Sequence, residues 1–465
     1  MEESKESARE WAAAEMGDVE LGDKRLNWRL VETTAKLAAQ PMASIPQACE
    51  EWAATKATYR LLDNEKVKVE KIYAPHYAST QVRLVDQQVV LAVQDTTYLD
   101  FSNHPCTEGL GAIGTTKQKS RGIVVHTALL LTTRGLPLGL GSQSAWVRTE
   151  ESQPLSQAER RKQPIEDKES YKWLQALSQV KENVPEGTKV VHMGDSEADV
   201  YELFLHAQDT KSHLLVRAAQ NRAVMAPEVG LLWEGMNKMP VQETHTLSIP
   251  KRKQEPARTV DLSIRFSPIT LKPPVRAGTK LPHFSLYAIL VQEQTPPAGV
   301  KPVEWLLLTT VPVETLADAH ERIGWYCQRW QIEIYHKTLK SGCRLEASQL
   351  ETLQRLMRLL ALFSIIAWRL LWLTHMARHL PDAPCTLVLA EPEWRALYAH
   401  IKRSTIPPPH PPSVGEVILW IARLGGFLAR RRDGAPGVTV LWRGWQRLHD
   451  ITHTWLIFNP IYTCG

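Results

Sequence analysis

The sequence has few cysteines, and none of the spacings that would give them a structural role. Its six cysteines include no CxxC pair and no pattern of a secreted scaffold, so neither a zinc site nor a disulfide framework is indicated. The first ten residues, MEESKESARE, are charged where a signal peptide would need an apolar core. Both absences predict a protein of the reducing cytoplasm.

The sequence also lacks an uninterrupted apolar run of membrane-spanning length. Its most apolar stretch, Leu356 to Leu373, contains Arg358 and Arg369, and charged side chains are costly at bilayer depth. We therefore interpret this stretch as a buried helix and expect no membrane partner.

What the sequence does have is the composition of a folded protein with several domains. Its 465 residues are 43% hydrophobic and 23% charged, and this length exceeds what one hydrophobic core usually supports. The net charge of +5 suits a polyanionic partner without identifying one. Tryptophan is unusually frequent, with 16 copies against 7 phenylalanines. Most tryptophans should be core residues, although Trp also stacks on bases.

The spacing of apolar residues predicts a helical start followed by an α/β segment. Helices are expected at about 23 to 40, where Pro41 ends the first, and at about 47 to 62. The next predicted elements are strands at Val89 to Val93, Ile123 to Thr132 and Lys189 to Met193, a further strand start at Leu136, and a helix around Trp173 to Val180. Strands that alternate with helices indicate an α/β layer architecture.

The second half of the chain predicts a change of structure. Between about 221 and 313 the helical pattern disappears and a β-rich insertion is expected, with basic or proline-rich loops at Lys251 to Lys253 and Lys272 to Pro274. One long helix should follow, from about Thr315 to Ser341, stopped by Gly342. Helices continue from Leu350 onward. We expect domains at 1–70, 71–370 and 371–465.

Two aspartates stand where predicted strands end. Asp95 comes just past the strand Val89 to Val93, and Asp195 follows the strand Lys189 to Met193. Phosphodiester chemistry on two divalent ions needs two or three carboxylates fixed close together, and neighbouring strand ends would place these two side by side. On its own, each aspartate is also explained as a turn residue.

A third carboxylate, Glu333, lies on the predicted long helix with Tyr326, Arg329 and Lys340. At about 100° per residue these four positions fall within an arc of about 60°. One helix face thus carries a phenol, a guanidinium, a carboxylate and an ammonium. The alternative is a solvated face on which Arg329 and Glu333 form an ordinary i,i+4 ion pair.

The segment YCQRWQIEIYHKTLK, from Tyr326 to Lys340, resembles the YREK signature of Tn-five-type transposases in the insertion-sequence-four family. GDSEADVY from Gly194 is similar to that family's second-aspartate block, and VQDTTYL from Val93 to its first-aspartate strand. The likeness extends over nearly the whole chain through KSRGIVVH (119–126), WLLLTTVPVE (305–314), LGDKRLNWRLV (21–31), ATYRLL (57–62) and IARLGGF (421–427).

The resemblance implies an RNase H-like α/β catalytic domain with a mixed sheet and the β-rich insertion, between a helical N-terminal DNA-binding domain and a helical C-terminal dimerisation domain. Asp95, Asp195 and Glu333 would be the catalytic residues and would bind two Mg2+ ions, for which Mn2+ substitutes. The implied reaction is cut-and-paste transposition: nicking of the transposon ends, hairpin formation and resolution, and strand transfer into target DNA. The implied partners are double-stranded DNA and a second copy of the chain in a synaptic dimer, at the bacterial nucleoid.

The same resemblance implies the other site residues. Tyr326, Arg329 and Lys340 would hold DNA phosphates, and Trp305 would receive a flipped base, although the leucines that follow it also fit a core position. Trp330 fits either base stacking or core packing. The remaining DNA-contact candidates are Arg217 and, for end recognition or as part of a solvated basic face, Arg25, Arg29 and Arg60.

The sequence departs from the family at three positions. Ser196 replaces the Arg after the second aspartate, and Leu26 and Ala39 stand where the N-terminal helix of the relative has basic residues. The recognised end sequence is therefore not determined by the resemblance. A catalytically silent DNA-binding regulator of transposition is the alternative function. A glycosidase also uses paired carboxylates but needs no Tyr-Arg-Lys phosphate clamp.

Overall fold

The structure, a computed structural model, describes residues 6–114, 120–148, 159, 163–226, 229–249, 257–274, 280–404, 406–431 and 433–459. The predicted basic loop at Lys251 to Lys253 lies outside these residues, and so does Lys119, the first residue of the motif KSRGIVVH.

The first part of the chain is helical, as predicted. Its helices are α1 (Glu6–Met16), α2 (Lys24–Ala39), α3 (Ile45–Cys49), α4 (Trp52–Asp63) and α5 (Val69–Leu84). Asp23 caps α2 by accepting a hydrogen bond from the Arg25 N–H. The single helix predicted for residues 47 to 62 is wrong, because Glu50 has a φ of 62° that a continuous helix does not allow.

The middle of the chain forms one mixed sheet. The strands are β1 (Val89–Asp100), β2 (Gly111–Ala112), β3 (Arg121–Thr132), β4 (Pro137–Trp146), β5 (Lys189–Gly194), β6 (His213–Arg217), β7 (Ala223–Ala226), β8 (Val229–Leu231), β9 (Glu243–Ile249), β10 (Arg258–Leu271), β11 (Phe284–Glu293) and β12 (Glu304–Thr309). The helices among them are α6 (Tyr171–Glu182), α7 (Tyr201–Asp209) and α8 (Leu232–Lys238). The strand order is β2-β3-β1-β5-β6-β12-β11-β10-β7-β8, with β4 on β3 and β9 on β10.

The first half of this sheet confirms the predicted α/β class. Its order is β4-β3-β1-β5-β6, and β3 alone runs against the other four strands, which is the RNase H-like arrangement. The apolar run at the start of β1 packs on both faces of the sheet, with Leu91 and Val93 in one hydrophobic cluster and Val90 and Ala92 in another. Such double burial explains why the run is continuous rather than alternating.

The β-rich insertion extends the same sheet. β12 pairs antiparallel with β6, with Leu307 opposite Arg217, and β11 and β10 follow in order. The expectation that no helix occurs between 221 and 313 is wrong at α8. This short helix forms because Leu232 and Met236, four residues apart, bury their side chains in a core shared with β11 and β12.

The prediction of one uniform α-helix from Thr315 to Ser341 is wrong, because the winding changes along this segment. It consists of α9 (Leu316–Cys327), a 3-10 turn (Gln328–Trp330), α10 (Gln331–Lys337) and a π-helical turn (Thr338–Gly342). Gly342 is not a left-handed cap either. A Cβ there would lie 2.8 Å from Cε3 of Trp442, so glycine allows the close packing of Trp442.

The remaining helices are α11 (Leu353–His379), α12 (Glu391–Lys402), α13 (Val414–Leu424) and α14 (Val438–Phe458). The predicted buried helix is confirmed in α11, which is the one helix of the described ranges that is long and apolar enough to cross a membrane, and which is mostly buried in the protein. Arg358 donates to the carbonyls of Leu62 and Val67, and Arg369 lies over the Trp11 ring. Both arginines therefore tie α11 to the N-terminal helices.

Candidate active site

Asp95 and Asp195 are brought together by the register of two parallel strands. β1 and β5 pair with Val93 opposite Met193, so each aspartate stands two residues beyond the same pair and on the same face. Asp195 follows the end of β5, as predicted. Asp95 does not follow the end of its strand. β1 continues to Asp100 because it still pairs with β3, with Asp95 opposite Thr127.

Asp195 also caps the turn that follows it. Its Oδ1 accepts a hydrogen bond of 2.8 Å from the Glu197 N–H, so Asp195 is a turn residue, and its catalytic role stays a prediction. Ser196, where the family has Arg, is exposed. A cation nevertheless adjoins this turn, since Lys172 Nζ lies 3.8 Å from Glu197 Oε2.

Asp199 is a residue that the sequence analysis missed. Its side chain is fully buried and accepts hydrogen bonds from the Ala219 and Gln220 N–H groups and from the Arg222 guanidinium. It therefore anchors the segment after β6, directly beyond Arg217. The signal was present in GDSEADVY, whose second aspartate has this structural role.

Asp95 is a half-buried carboxyl group in a negative environment. Its Oδ1 accepts a hydrogen bond of 2.8 Å from the Thr96 N–H. Burial raises the pKa of Asp95 to about 6, helped by the charges of Asp195 and Glu333 and opposed by the Thr96 bond and Arg329. His336 Nδ1 lies 3.8 Å from Asp95 Oδ2, but burial lowers the pKa of His336 to about 3. His336 is therefore neutral and adds no positive charge.

Glu333 is held by Arg329. The Arg329 guanidinium donates to Glu333 Oε1 at 2.7 Å. This is the ordinary i,i+4 ion pair that the sequence analysis gave as the alternative to a site role. Over the described ranges, no group of three His, Cys, Asp or Glu side chains has the spacing of a metal site. Asp95 and Asp195 fit a divalent ion, because a cation would relieve the repulsion between crowded carboxylates. Glu333 would join them by exchanging Arg329 for the ion.

Tyr326 lies near Asp195, and Trp305 and Arg217 lie near Tyr326. The Tyr326 ring meets the Trp305 ring edge to face, with centroids 5.6 Å apart. Burial raises the pKa of the Tyr326 hydroxyl, and the charges of Arg329, Arg217 and Asp195 all act on it. Trp305 is half-buried, so it is not a fully enclosed core residue.

Lys340 and Trp330 have other surroundings. Lys340 Nζ is 3.9 Å from Glu346 Oε1, and Glu346 also accepts a hydrogen bond from the Asp100 N–H at the far end of β1. The Trp330 side chain is exposed. The common helix face expected for Tyr326, Arg329, Glu333 and Lys340 assumed a uniform rotation, which the 3-10 and π-helical turns do not keep.

The candidate end-recognition residues lie on α2 and α4. Arg25 and Arg60 are exposed and Arg29 is half-buried. Two exposed tryptophans accompany them: Trp28 is 57% exposed and Trp52 is 76% exposed. Trp28 and Arg29 line a groove between the two helices. Trp52, Lys56 and Arg60 are spaced four residues apart and form one exposed row on α4.

Three family models match this chain. Residues 8–67 match a transposase DNA-binding domain, residues 167–369 match a transposase DDE domain, and residues 365–454 match the transposase Tn5 dimerisation domain. With the RNase H-like sheet and its paired aspartates, these matches define a DNA transposase of the DDE class, whose domains act with divalent metal ions. The chain belongs to the Tn5-type transposases. The DDE match contains Asp195 and Glu333 and begins after Asp95.

Proposed function

We propose that this transposase moves DNA by cut-and-paste transposition, with Asp95, Asp195 and Glu333 as its catalytic carboxylates. The observation that carries the proposal is the parallel register that sets Asp95 beside Asp195, with Glu333 close enough to act on the Asp95 pKa. These three residues would hold two Mg2+ ions, or Mn2+ in their place. When bound, the ions lower the pKa of the attacking hydroxyl group and stabilise the leaving oxygen.

Arg329 has two partners in this proposal. In the DNA-free protein it holds Glu333. A DNA phosphate can accept two hydrogen bonds from the guanidinium, and the exchange would free Glu333 to join the aspartates. The Tyr326 hydroxyl, Lys340 and Arg217 supply further phosphate contacts. The site would thereby be completed only when DNA is present.

The proposed reaction begins with a nick at each transposon end. The freed 3′-hydroxyl attacks the opposite strand to form a hairpin, which is opened by water, and the end is then joined to target DNA. The tight hairpin turn expels a base, and the half-buried Trp305 ring provides a stacking surface for it. Exposed Trp330 is a second stacking candidate.

The rest of the chain brings the two ends together. We propose the division into a DNA-binding domain at 1–70, a catalytic domain at 71–370 and a dimerisation domain at 371–465, acting as a synaptic homodimer in the bacterial cytoplasm. Each protomer would bind one transposon end through its N-terminal helices, because both ends must be held during joining.

The test uses the terminal inverted repeats from the DNA that flanks the gene. Labelled duplexes that carry them should be bound without divalent ions, and should give nicked and hairpin products when Mg2+ is added. Binding without any cleavage in Mg2+ or Mn2+ would contradict the proposal and favour a catalytically silent regulator.

Arg29→Ala should weaken binding of the terminal repeats roughly tenfold, because Arg29 borders the groove between α2 and α4 and loses a charge-assisted contact. Fluorescence anisotropy at two salt concentrations, without divalent ions, measures this effect and its ionic part. Lys181→Ala, which removes an exposed cation on α6, is the control. Equal affinities of the two variants would exclude Arg29 from the interface.

A further inference from the structure

A row of polar side chains lies inside the sheet, directly behind the two aspartates. Gln94 and Thr96 flank Asp95 on β1, His126 stands on β3, and His192 precedes Asp195 by three residues on β5. Since side chains alternate along a strand, Gln94 and Thr96 point to the face opposite Asp95. Gln94, His126 and His192 are at most 2% exposed. Buried polar groups of this kind are costly unless they are hydrogen-bonded.

These four side chains form one continuous series of hydrogen bonds, here called the amide–imidazole chain. Gln94 Nε2 donates to His192 Nδ1 at 2.9 Å, and Gln94 Oε1 accepts from His126 Nε2 at 3.2 Å. His126 Nδ1 in turn accepts from the Thr96 hydroxyl at 2.9 Å. This pattern requires both rings to be neutral. Burial agrees with it, because it lowers the pKa of His192 to about 3 and that of His126 well below its usual value.

The amide–imidazole chain links three strands at the point where the backbone ladder stops. The pairing of β1 with β5 ends at Val93 and Met193. Beyond it, Asp95 and Asp195 repel one another. The Gln94 to His192 bond joins the two strands behind this gap. The bonds from Gln94 and Thr96 to His126 hold the residues on both sides of Asp95 against β3.

One feature of the amide–imidazole chain is costly for stability. Within the described ranges, His192 Nε2 is buried and has no hydrogen-bond partner, and it carries the proton because Nδ1 is the acceptor. An unpaired buried N–H destabilises a protein. An apolar side chain at position 192 would avoid this cost, but it would leave the buried Gln94 amide without its acceptor.

We infer that Gln94, His126 and His192 are positioning residues, which hold the strands of Asp95 and Asp195 at the separation that a divalent ion requires. The inference rests on the proposed catalytic role of the two aspartates. It assigns a function to three buried side chains that lie behind the two aspartates.

The test is the Gln94→Leu variant, which breaks both bonds of the central amide. The affinity of the DNA-free protein for Mn2+ should fall by about 10- to 100-fold, the usual effect of replacing a residue that orients metal ligands. The electron paramagnetic resonance signal of free Mn2+ measures this affinity. The Mg2+ concentration that half-saturates cleavage should rise by a similar factor. Binding of the terminal repeats without metal should not change.

Thr374→Val is the matched control, because Thr374 is buried on α11 and bonds only to the Leu370 carbonyl of its own helix. It should lower the melting temperature without changing the affinity for Mn2+. His192→Leu breaks only the bond to Gln94 and should give a smaller loss of Mn2+ affinity. If Gln94→Leu does not fold, the Mn2+ affinity of His192→Leu tests the positioning role. Unchanged Mn2+ affinity in the folded variants would overturn the inference.

Asp95→Asn is measured in parallel to separate the two proposals. If Asp95→Asn is inactive while Gln94→Leu and His192→Leu bind Mn2+ like the unmodified protein, only the positioning role is contradicted. If Asp95→Asn still cleaves DNA, the catalytic assignment fails and the positioning role fails with it.

Discussion

Glu333→Gln is expected to reduce cleavage of end-bearing DNA by roughly 1000-fold, the scale of losing one preorganised electrostatic group at a reacting phosphate. Gln keeps the size of the side chain and an oxygen for Arg329, but it lacks the charge that a divalent ion requires. Binding of the terminal repeats should not change, because the proposed role of Glu333 is to bind metal and not to contact the repeats. Cleavage is followed on labelled duplexes in Mg2+, and binding by anisotropy without it.

A matched substitution on the preceding helix makes the result specific. Glu321→Gln removes an exposed carboxylate of α9 that pairs with Arg322, and it should leave the cleavage rate unchanged. Cleavage by Glu333→Gln at the rate of Glu321→Gln would remove Glu333 from the catalytic set. Its pairing with Arg329 would then be only the ordinary ion pair of a helix surface.

Glu15→Ala is expected to destabilise the protein by about 3–5 kcal/mol, the cost of removing one partner from a buried charge cluster. Glu15 of α1 is 4% exposed and accepts two hydrogen bonds of 2.9 Å from Arg83 of α5. It also accepts one from His76 Nδ1, since His76 Nε2 accepts from the Leu140 N–H. The urea midpoint measures the loss.

The control for this prediction is a similar pair on the surface. Glu32→Ala breaks the bond between Arg9 and Glu32, which joins α1 to α2 in a solvated position, and should cost less than about 1 kcal/mol. A loss in Glu15→Ala no larger than that in Glu32→Ala would show that the buried cluster does not stabilise the packing of α1 on α5.

The same cluster should make the protein sensitive to acid. Although burial opposes it, the hydrogen bonds from His76 and Arg83 lower the pKa of Glu15 from 4.5 to about 2. Burial also lowers the pKa of His76 below 6.5. For both groups the unfolded chain binds the proton more readily, so stability falls as the pH falls. The His76 contribution is lost below about pH 6.5 and the Glu15 contribution between about pH 4.5 and 2.

Urea midpoints between pH 7 and pH 3 follow this loss. Glu15→Ala should lack the part that occurs below pH 4.5, because the carboxyl group responsible is gone. An identical pH profile in the two proteins would assign the acid sensitivity to other residues.

Local sequence pattern predicted the elements that carry the site, and failed where the backbone departs from regular geometry. The strands around Leu91, Val125 and Val191 were recognisable because their apolar runs are long and doubly buried. The break at Glu50 was not, since a positive φ at a glutamate has no signature in the sequence. The 3-10 and π-helical turns around Glu333 keep an apolar spacing close to that of an α-helix, so the pattern suggested one uniform helix.

By itself, the sequence placed its candidate site residues in short contiguous segments that resemble transposase motifs, namely Asp95, Asp195, Tyr326, Arg329, Glu333 and Lys340. Only the tertiary structure decided how these residues meet. It set Asp95 beside Asp195, paired Glu333 with Arg329, and joined Gln94 to His192 across 98 positions of the chain. The physical reason is that strand register and buried hydrogen bonds depend on residues far apart in the sequence, and no local pattern of apolar and polar residues records which of them become neighbours.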